Sequence, residues 1–328
     1  MARKKSDETP NESITTGNFI RCRFCGQKNA VKADFDENKA VCGKCRLPLS
    51  NAPHKKFADL SKHDYVHPAD SKALAALKAI PGVDSGLKKL LEITGESASR
   101  VVFMASAVKV TPTQCPDLYA KLQIVCTTLG VDMPDLFVQQ NPVVNAFTTG
   151  VEKPLIVMWS GLLEKLNDEE ILAVLAHEVG HIQAEHVLYL TAARLFEALA
   201  NASIGKLVPG SDIIKALIAI GINSSLMAWA RRAELSCDRA AMLVVQDPHI
   251  VGRTMMKLCG GTSHSKIDYE QFLEQAREFE KTCDENKLDN FWASVISAGM
   301  THPFPIWRVA EIIKWTESGE YDNLLKNK

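Results

Sequence analysis

The chain has no surplus of charge: 38 lysines and arginines stand against 39 aspartates and glutamates, a formal net charge of −1. No global field therefore draws it to nucleic acid or anionic lipid. It also lacks an apolar run long enough for a bilayer. In the apolar segment from Leu188 to Ala230 the longest charge-free run, Ala216–Ala230, has fifteen residues and contains Asn223, Ser224 and Ser225, whereas a span takes about 20 predominantly apolar residues. Lys206, Asp212 and Lys215 interrupt the wider apolar segment and Pro209-Gly210 breaks it. It reads as a surface-lying helical hairpin, with a membrane-dipping or oligomer-forming hairpin as the alternative. The opening MARKKSDETPNESITTG lacks the apolar core of a secretory signal, so a cytoplasmic chain is expected, with peripheral contact at the inner face of a membrane as the alternative. Disulfide-framework spacing is missing too. Of nine cysteines four are clustered, while Cys115, Cys126, Cys237, Cys259 and Cys283 are scattered, which suits a reducing compartment with thiols and metal.

The 328 residues leave room for one large domain and a small one. Residues 1–18 are polar and aperiodic and read as disordered. Over 19–50, Cys22 and Cys25 form one CxxC pair and Cys42 and Cys45 a second, with sixteen residues between them. Gly26 and Gly43 stand where the knuckles need tight turns. This is the pattern of a four-cysteine zinc ribbon, too small to fold without its metal. Its role is open between structural module, protein-docking module and, less favoured, nucleic-acid binder. Residues 51–67 read as a linker whose His54, His63 and His67 are solvated, and 68–328 as the large domain.

Within that domain, short helices are expected over Ala69–Ile80 and Ser85–Thr94. Val101–Val110 reads as a strand, with helix the alternative. Pro116–Leu129 carries Leu118, Leu122, Val125 and Leu129 at helical steps and ends at Gly130. Three β-prone runs follow, Leu136–Gln139, Val143–Thr149 and Leu155–Trp159, divided by Asn141-Pro142 and Lys153-Pro154. They predict a small sheet that either packs the next helix or also receives an extended peptide at its edge.

That next helix organises the chain. In NDEEILAVLAHEVGHIQAEH, Asn167 is a cap and Glu170 completes a capping box. HEVGH puts His177 and His181 four residues apart, so both imidazoles leave the same face about 6 Å apart. Both can reach one tetrahedral zinc at about 2.0–2.1 Å. Glu178, about 100° round the helix, lies where it can take a proton from an attacking water. A third ligand must come from downstream. AWARRAELSCDRAAMLVV is helical by pattern and carries Glu234 and Asp238 one turn apart, with Glu234 53 residues after His181. Two histidines and a glutamate with an open fourth position make a hydrolytic zinc centre. Asp238 can accept the outer N–H of a ligand histidine. Cys237 is read as pointing to a different face, into the core.

HEVGH, RRAELSCDRAAM, THPFPIWR and the upstream NAF together resemble the HtpX-type and CAAX-prenyl-protease-type zinc metallopeptidases, the gluzincins. The resemblance runs from about His67 to Ile312 and keeps the motif order. It implies His177, His181 and Glu234 as ligands, Glu178 as base and Asp238 behind a ligand. It also implies that His302 and Arg308 lie near the site, His302 as an oxyanion donor, and that Asn145, Ala146 and Phe147 run along the substrate. His186 recurs in some relatives, with a core role preferred. Membrane members carry spans between the histidines and the glutamate; here that segment is too polar.

The expectation is an α+β chain: a mainly helical zincin-type domain with a small β-sheet, preceded by the ribbon. It binds two zinc ions, one catalytic and one structural, and hydrolyses peptide bonds of protein substrates in protein quality control. The competing expectation is a catalytically silent scaffold whose ribbon recruits a protein partner.

Overall fold

The computed structural model describes residues 18–32, 40–49, 54–94, 96–193, 222–260, 267–285 and 304–328. The expected disorder over 1–17, the hairpin over 194–221 and His302 lie outside the described residues; Asn18 already belongs to a strand.

The ribbon opens with β1 (Asn18–Arg21) paired antiparallel to β2 (Lys28–Val31). Its two knuckles are built alike. Cys22 N donates to Gln27 O and Gly26 N to Cys22 O; Cys42 N donates to Leu47 O and Arg46 N to Cys42 O. Gly26 takes the left-handed φ of 74° that the turn requires, but in the second knuckle Arg46, at φ 66°, does so rather than Gly43. The turn's fifth residue bears the strain, which corrects the expectation for Gly43. Cys22, Phe24, Leu47 and Leu49 share one apolar cluster with the large domain. The chain that leaves the ribbon is tied down. Gln246 exchanges two amide hydrogen bonds with the Lys55 backbone, both at 2.7 Å. His54 Nε2 lies 2.9 Å from the Val244 carbonyl.

The segment expected as a linker carries α1 (Lys62–Tyr65) with a buried Tyr65. Of its histidines only His63 is exposed. His67 caps α2 (Pro68–Lys78) by accepting from Ala69 N, and its other nitrogen lies 3.3 Å from Glu311. Then come α3 (Val83–Thr94) and α4 (Glu96–Ser106). Most of the Val101–Val110 run is thus helix, and only β3 (Val108–Lys109) is strand. Helix α5 (Pro116–Leu129) ends at Gly130 in the left-handed conformation, as its sequence predicts.

Strands β4 (Asp135–Gln139), β5 (Ala146–Thr149) and β6 (Leu155–Trp159) join β3 in a sheet ordered β3-β4-β6-β5. β4 runs parallel to β6 and the other pairs are antiparallel. Ala146 and Thr148 of β5 are buried while Phe147 and Thr149 are half-buried, the alternation of a strand lying on a helix. After α6 (Ser160–Lys165), that helix is α7 (Asp168–Gln183). Asn167 accepts from the Glu169 and Glu170 amides and Glu170 in turn accepts from Asn167 N, which completes the capping box. Two lysines clamp the same end: buried Lys121 lies 2.7 Å from Asp168, and Lys257 2.7 Å from Glu170.

Residues 187–193 are helical too, and the helices that follow are α8 (Ile222–Val245), α9 (Pro248–Gly260), α10 (Tyr269–Glu285), α11 (Pro305–Glu317) and α12 (Glu320–Asn327). Helix α8 crosses α7 at Gly180. A Cβ there would come within 2.9 Å of Ala240 Cβ and 3.3 Å of Cys237 Cα, and neither atom can swing aside. Gly180→Ala therefore sets a helical gain of about 1 kcal/mol against an overpacking cost of about 1–3 kcal/mol. The variant should melt below the parent in a thermal unfolding scan; melting at or above the parent would contradict this contact.

Candidate metal and catalytic site

Helix α7 is buried along the face that carries His177, Glu178 and His181. Helix α8 brings Glu234, Cys237 and Asp238 to it, α11 brings Arg308, and β5 brings Thr148. The two imidazoles stand edge to face with centroids 4.9 Å apart. One Glu234 oxygen lies 3.4 Å from His177 Nε2 and the other 3.4 Å from His181 Nε2. Donors about 2.0–2.1 Å from a tetrahedral zinc are separated from one another by about 3.3–3.4 Å, so the three groups stand at ligand spacing.

Cys237 is a rival third donor, since its sulfur and the two histidines offer atoms within 4.8 Å of one another. This corrects the expectation for that residue: three steps from Glu234, it shares that residue's face. Its Sγ, however, lies 3.1 Å from His181 Nδ1, the nitrogen turned away from Glu234. Burial, reinforced by the acids around it, pushes its thiol well above the ordinary range. The Nε2 side of both rings belongs to the carboxylate.

Behind the rings the polar groups form a buried network. His177 Nδ1 lies 3.0 Å from Asp238 Oδ1. Arg308 donates to both Asp238 oxygens, Nε at 2.7 Å and Nη2 at 2.5 Å, and its Nη1 is 3.2 Å from Glu234. Burial opposes charging Asp238, but the Arg308 guanidinium outweighs it and holds the carboxyl below its usual range. Burial likewise opposes charging Arg308, yet Asp238 and Glu234 raise its pKa above the ordinary value. At His177 burial again disfavours charge, and Glu234 with Asp238 overcomes it, lifting the imidazole to about 9. The pocket favours a cation. Glu178, Glu234 and Asp238 against Arg308 are three buried acids and one buried base. With both histidines neutral, as metal ligation requires, the formal surplus of two negative charges suits a divalent ion, and the His₂Glu donors suit zinc.

Thr148 Oγ1 lies 2.7 Å from Glu178 Oε2, within donating distance. A cleft of about 300 Å³ opens over these groups, lined by Asn145, Ala146, His177, Glu178, Glu234 and Arg308 and by an apolar wall including Leu162, Val174, Val251 and Met255. Phe147, expected with Asn145 and Ala146, faces the other side of the sheet and packs on Phe103 and Trp159. Strand alternation separates it from its neighbours. Sequence reasoning missed Thr148, detectable only as a polar residue at an inward strand position. It also missed Asp70, on α2, which makes a buried contact with His186.

A helix-borne HExxH with a glutamate from a second helix, opening into an apolar cleft beside a strand, defines a zinc metallopeptidase. Residues 112–316 match the model of peptidase family M48, and the chain belongs to that family. Over 309 residues it is 35% identical to the plastoglobule-localized metallopeptidase 48, chloroplastic, of Arabidopsis thaliana, covering 92% of this chain and 86% of that one. It is 28% identical over 182 residues to the protease HtpX homolog 2 of Methanosarcina mazei, half of this chain and 62% of that one. It is 26% identical over 243 residues to the protease HtpX homolog of Polynucleobacter necessarius, 69% and 82% of the two chains.

Asp238→Asn should weaken zinc binding about 10- to 100-fold, as read by competition with a chromophoric chelator. Affinity equal to the parent would show that Asp238 has no part in holding the site.

Proposed function

We propose that this zinc metalloprotease is an endopeptidase in which His177, His181 and Glu234 hold the metal and Glu178 is the general base. The observation that carries the reading is the pair of 3.4 Å approaches of Glu234 to the two Nε2 atoms. Bound there, zinc supplies a Lewis acid for the scissile carbonyl and for water. Glu178 takes the proton of the attacking water and passes it to the leaving amine. Thr148 holds Oε2 of that base, so the carboxylate arrives oriented. Asp238 accepts from His177 Nδ1, which keeps Nε2 bare for the metal, and Arg308 fixes Asp238 in turn. His302, outside the described residues, is the proposed oxyanion donor.

Asn145 and Ala146 line the cleft, which supports the stretch 145–147 as the one that runs along the substrate. The apolar wall favours an aliphatic or aromatic side chain beside the scissile bond. Such residues are buried in folded proteins and exposed in unfolded ones, and this supports a role in protein quality control. The ribbon, over 19–50, holds a second, structural zinc in our reading. Cys22 and Cys45, and Cys25 and Cys42, stand 3.6 Å apart, close to the separation expected for sulfurs about 2.3 Å from one tetrahedral ion. The hydrogen bond between Cys22 and Cys45 pulls the first thiol down to about 5 and pushes the second up, so binding of metal would displace the protons that remain. Residues 68–328 form the peptidase domain, and the ribbon's shared core with it favours a structural part over a recruiting one. No described helix is long and apolar enough to cross a membrane. The chain is proposed to be cytoplasmic. Peripheral contact with a lipid surface is a second reading, favoured by the exposed Val101, Val102 and Met104 of α4 and by the plastoglobule in one relative's name.

A silent scaffold has no use for a base held by Thr148. Glu178→Gln should retain its zinc and cleave casein about 10²- to 10⁴-fold more slowly than the parent. A zinc-replete variant as fast as the parent would remove Glu178 from the mechanism.

A further inference from the structure

We propose that His186 and Asp70 are positioning residues for His181: together they keep its proton on Nδ1 and so turn a bare Nε2 towards the metal. The inference rests on the metal-site reading above.

The two histidines of HEVGH are supported differently. His177 leans on a carboxylate, Asp238, through Nδ1. Among the described residues no acid stands at His181 Nδ1, which meets His186 and Cys237 instead. The chain leaves α7 through Glu185 in the left-handed conformation, φ 61°. It turns back so that His186 N donates to His181 O at 2.9 Å. The wholly buried His186 ring then stands behind His181, with the two Nδ1 atoms 3.2 Å apart. Two ring nitrogens this close attract only when one of them carries a proton.

Asp70 decides which. It is fully buried on α2 and accepts from Trp229 Nε1 at 2.9 Å and from Ser236 Oγ at 2.5 Å. The Ser236 proton is committed to it, because the Ser236 oxygen itself accepts from His67 N. Asp70 Oδ2 also lies 3.0 Å from His186 Nε2. That contact is not an aligned hydrogen bond, so it acts through charge. A carboxylate oxygen at this distance attracts an N–H and repels a ring lone pair. Nε2 of His186 therefore carries the proton, its Nδ1 is an acceptor, and His181 Nδ1–H donates to it. Cys237, 3.1 Å from the same His181 nitrogen, competes weakly because a thiol is a weak donor as well as a weak acceptor. Polarity thus runs from Asp70 through His186 to His181 and leaves Nε2 of His181 facing Glu234.

Asp70→Asn tests the polarity with almost no change of shape. The amide oxygen can still accept from Trp229, while the NH₂ in place of Oδ2 turns the Ser236 O–H away, donates towards His186 and reverses the relay. His186 is then protonated on Nδ1 and His181 on Nε2, the atom the metal needs. The full-length protein, labelled with ¹⁵N-histidine, is compared with Asp70→Asn and Ser236→Ala by long-range ¹H–¹⁵N spectra and by zinc affinity from chelator competition. The proposal expects the parent's His186 to be protonated on Nε2. It also expects Asp70→Asn to move that proton to Nδ1 and to bind zinc about 10- to 100-fold more weakly. Ser236→Ala, which keeps the Asp70 carboxylate, should stay within about threefold of the parent.

Zinc affinity of Asp70→Asn within twofold of the parent overturns the proposal, as does an equal loss in Ser236→Ala, which would mark a packing effect. If Asp70→Asn does not fold, the parent's spectrum decides: Nε2–H on His186 supports the relay and Nδ1–H overturns it. His177→Ala separates the two readings. If the parent holds no zinc that this variant loses, the metal-site assignment itself fails and this inference falls with it.

Discussion

Everything catalytic in this chain depends on how closely α7 and α8 approach at Gly180. Both histidines project from one helix and Glu234 from another, 53 residues later, so nothing local brings the donors together. The backbones meet where Gly180 faces Ala240 and Cys237, and that contact carries Glu234 to 3.4 Å from each imidazole. Wider spacing of the helices would leave the two histidines without the third ligand we propose. The capping box at Asn167 and the lysine clamps at Asp168 and Glu170 secure the other end of α7.

The electrostatics follow from that packing. Bringing Glu178, Glu234 and Asp238 into one buried site concentrates negative charge where desolvation is costly. Arg308, reaching in from α11, offsets part of it by bonding Asp238 through two nitrogens and approaching Glu234 with a third. The remainder matches a dication, so in the reading proposed above metal binding and the folding of this core are one linked equilibrium. Such a site is held open by its neighbours: acids turned outward by solvent could not keep this geometry.

Much of this was legible in the sequence because the signals are periodic or strictly spaced. HEVGH, the Asn167 cap, the helix from Pro116 and the three β runs are each specified by local chemistry and all appear, the second run shortened from Val143–Thr149 to Ala146–Thr149. What was not legible depends on register and tertiary contact. Val101–Val110 looks like a strand from its valines, yet α4 takes most of it. Phe147 sits beside Ala146 in sequence but on the opposite face of the sheet. Cys237 was read away from the site, although three helical steps from Glu234 put it on the same side. Thr148 and Asp70 carry no motif at all, and only the fold shows what their side chains meet. His302 could be named from its resemblance alone.

The most direct test is anomalous diffraction at the zinc edge from crystals of the zinc-loaded protein. The account predicts a peak about 2.0–2.1 Å from His177 Nε2 and His181 Nε2 and about 2.0–2.2 Å from a Glu234 oxygen. A peak bonded to Cys237 Sγ in place of Glu234, or none between the two imidazoles, would contradict it.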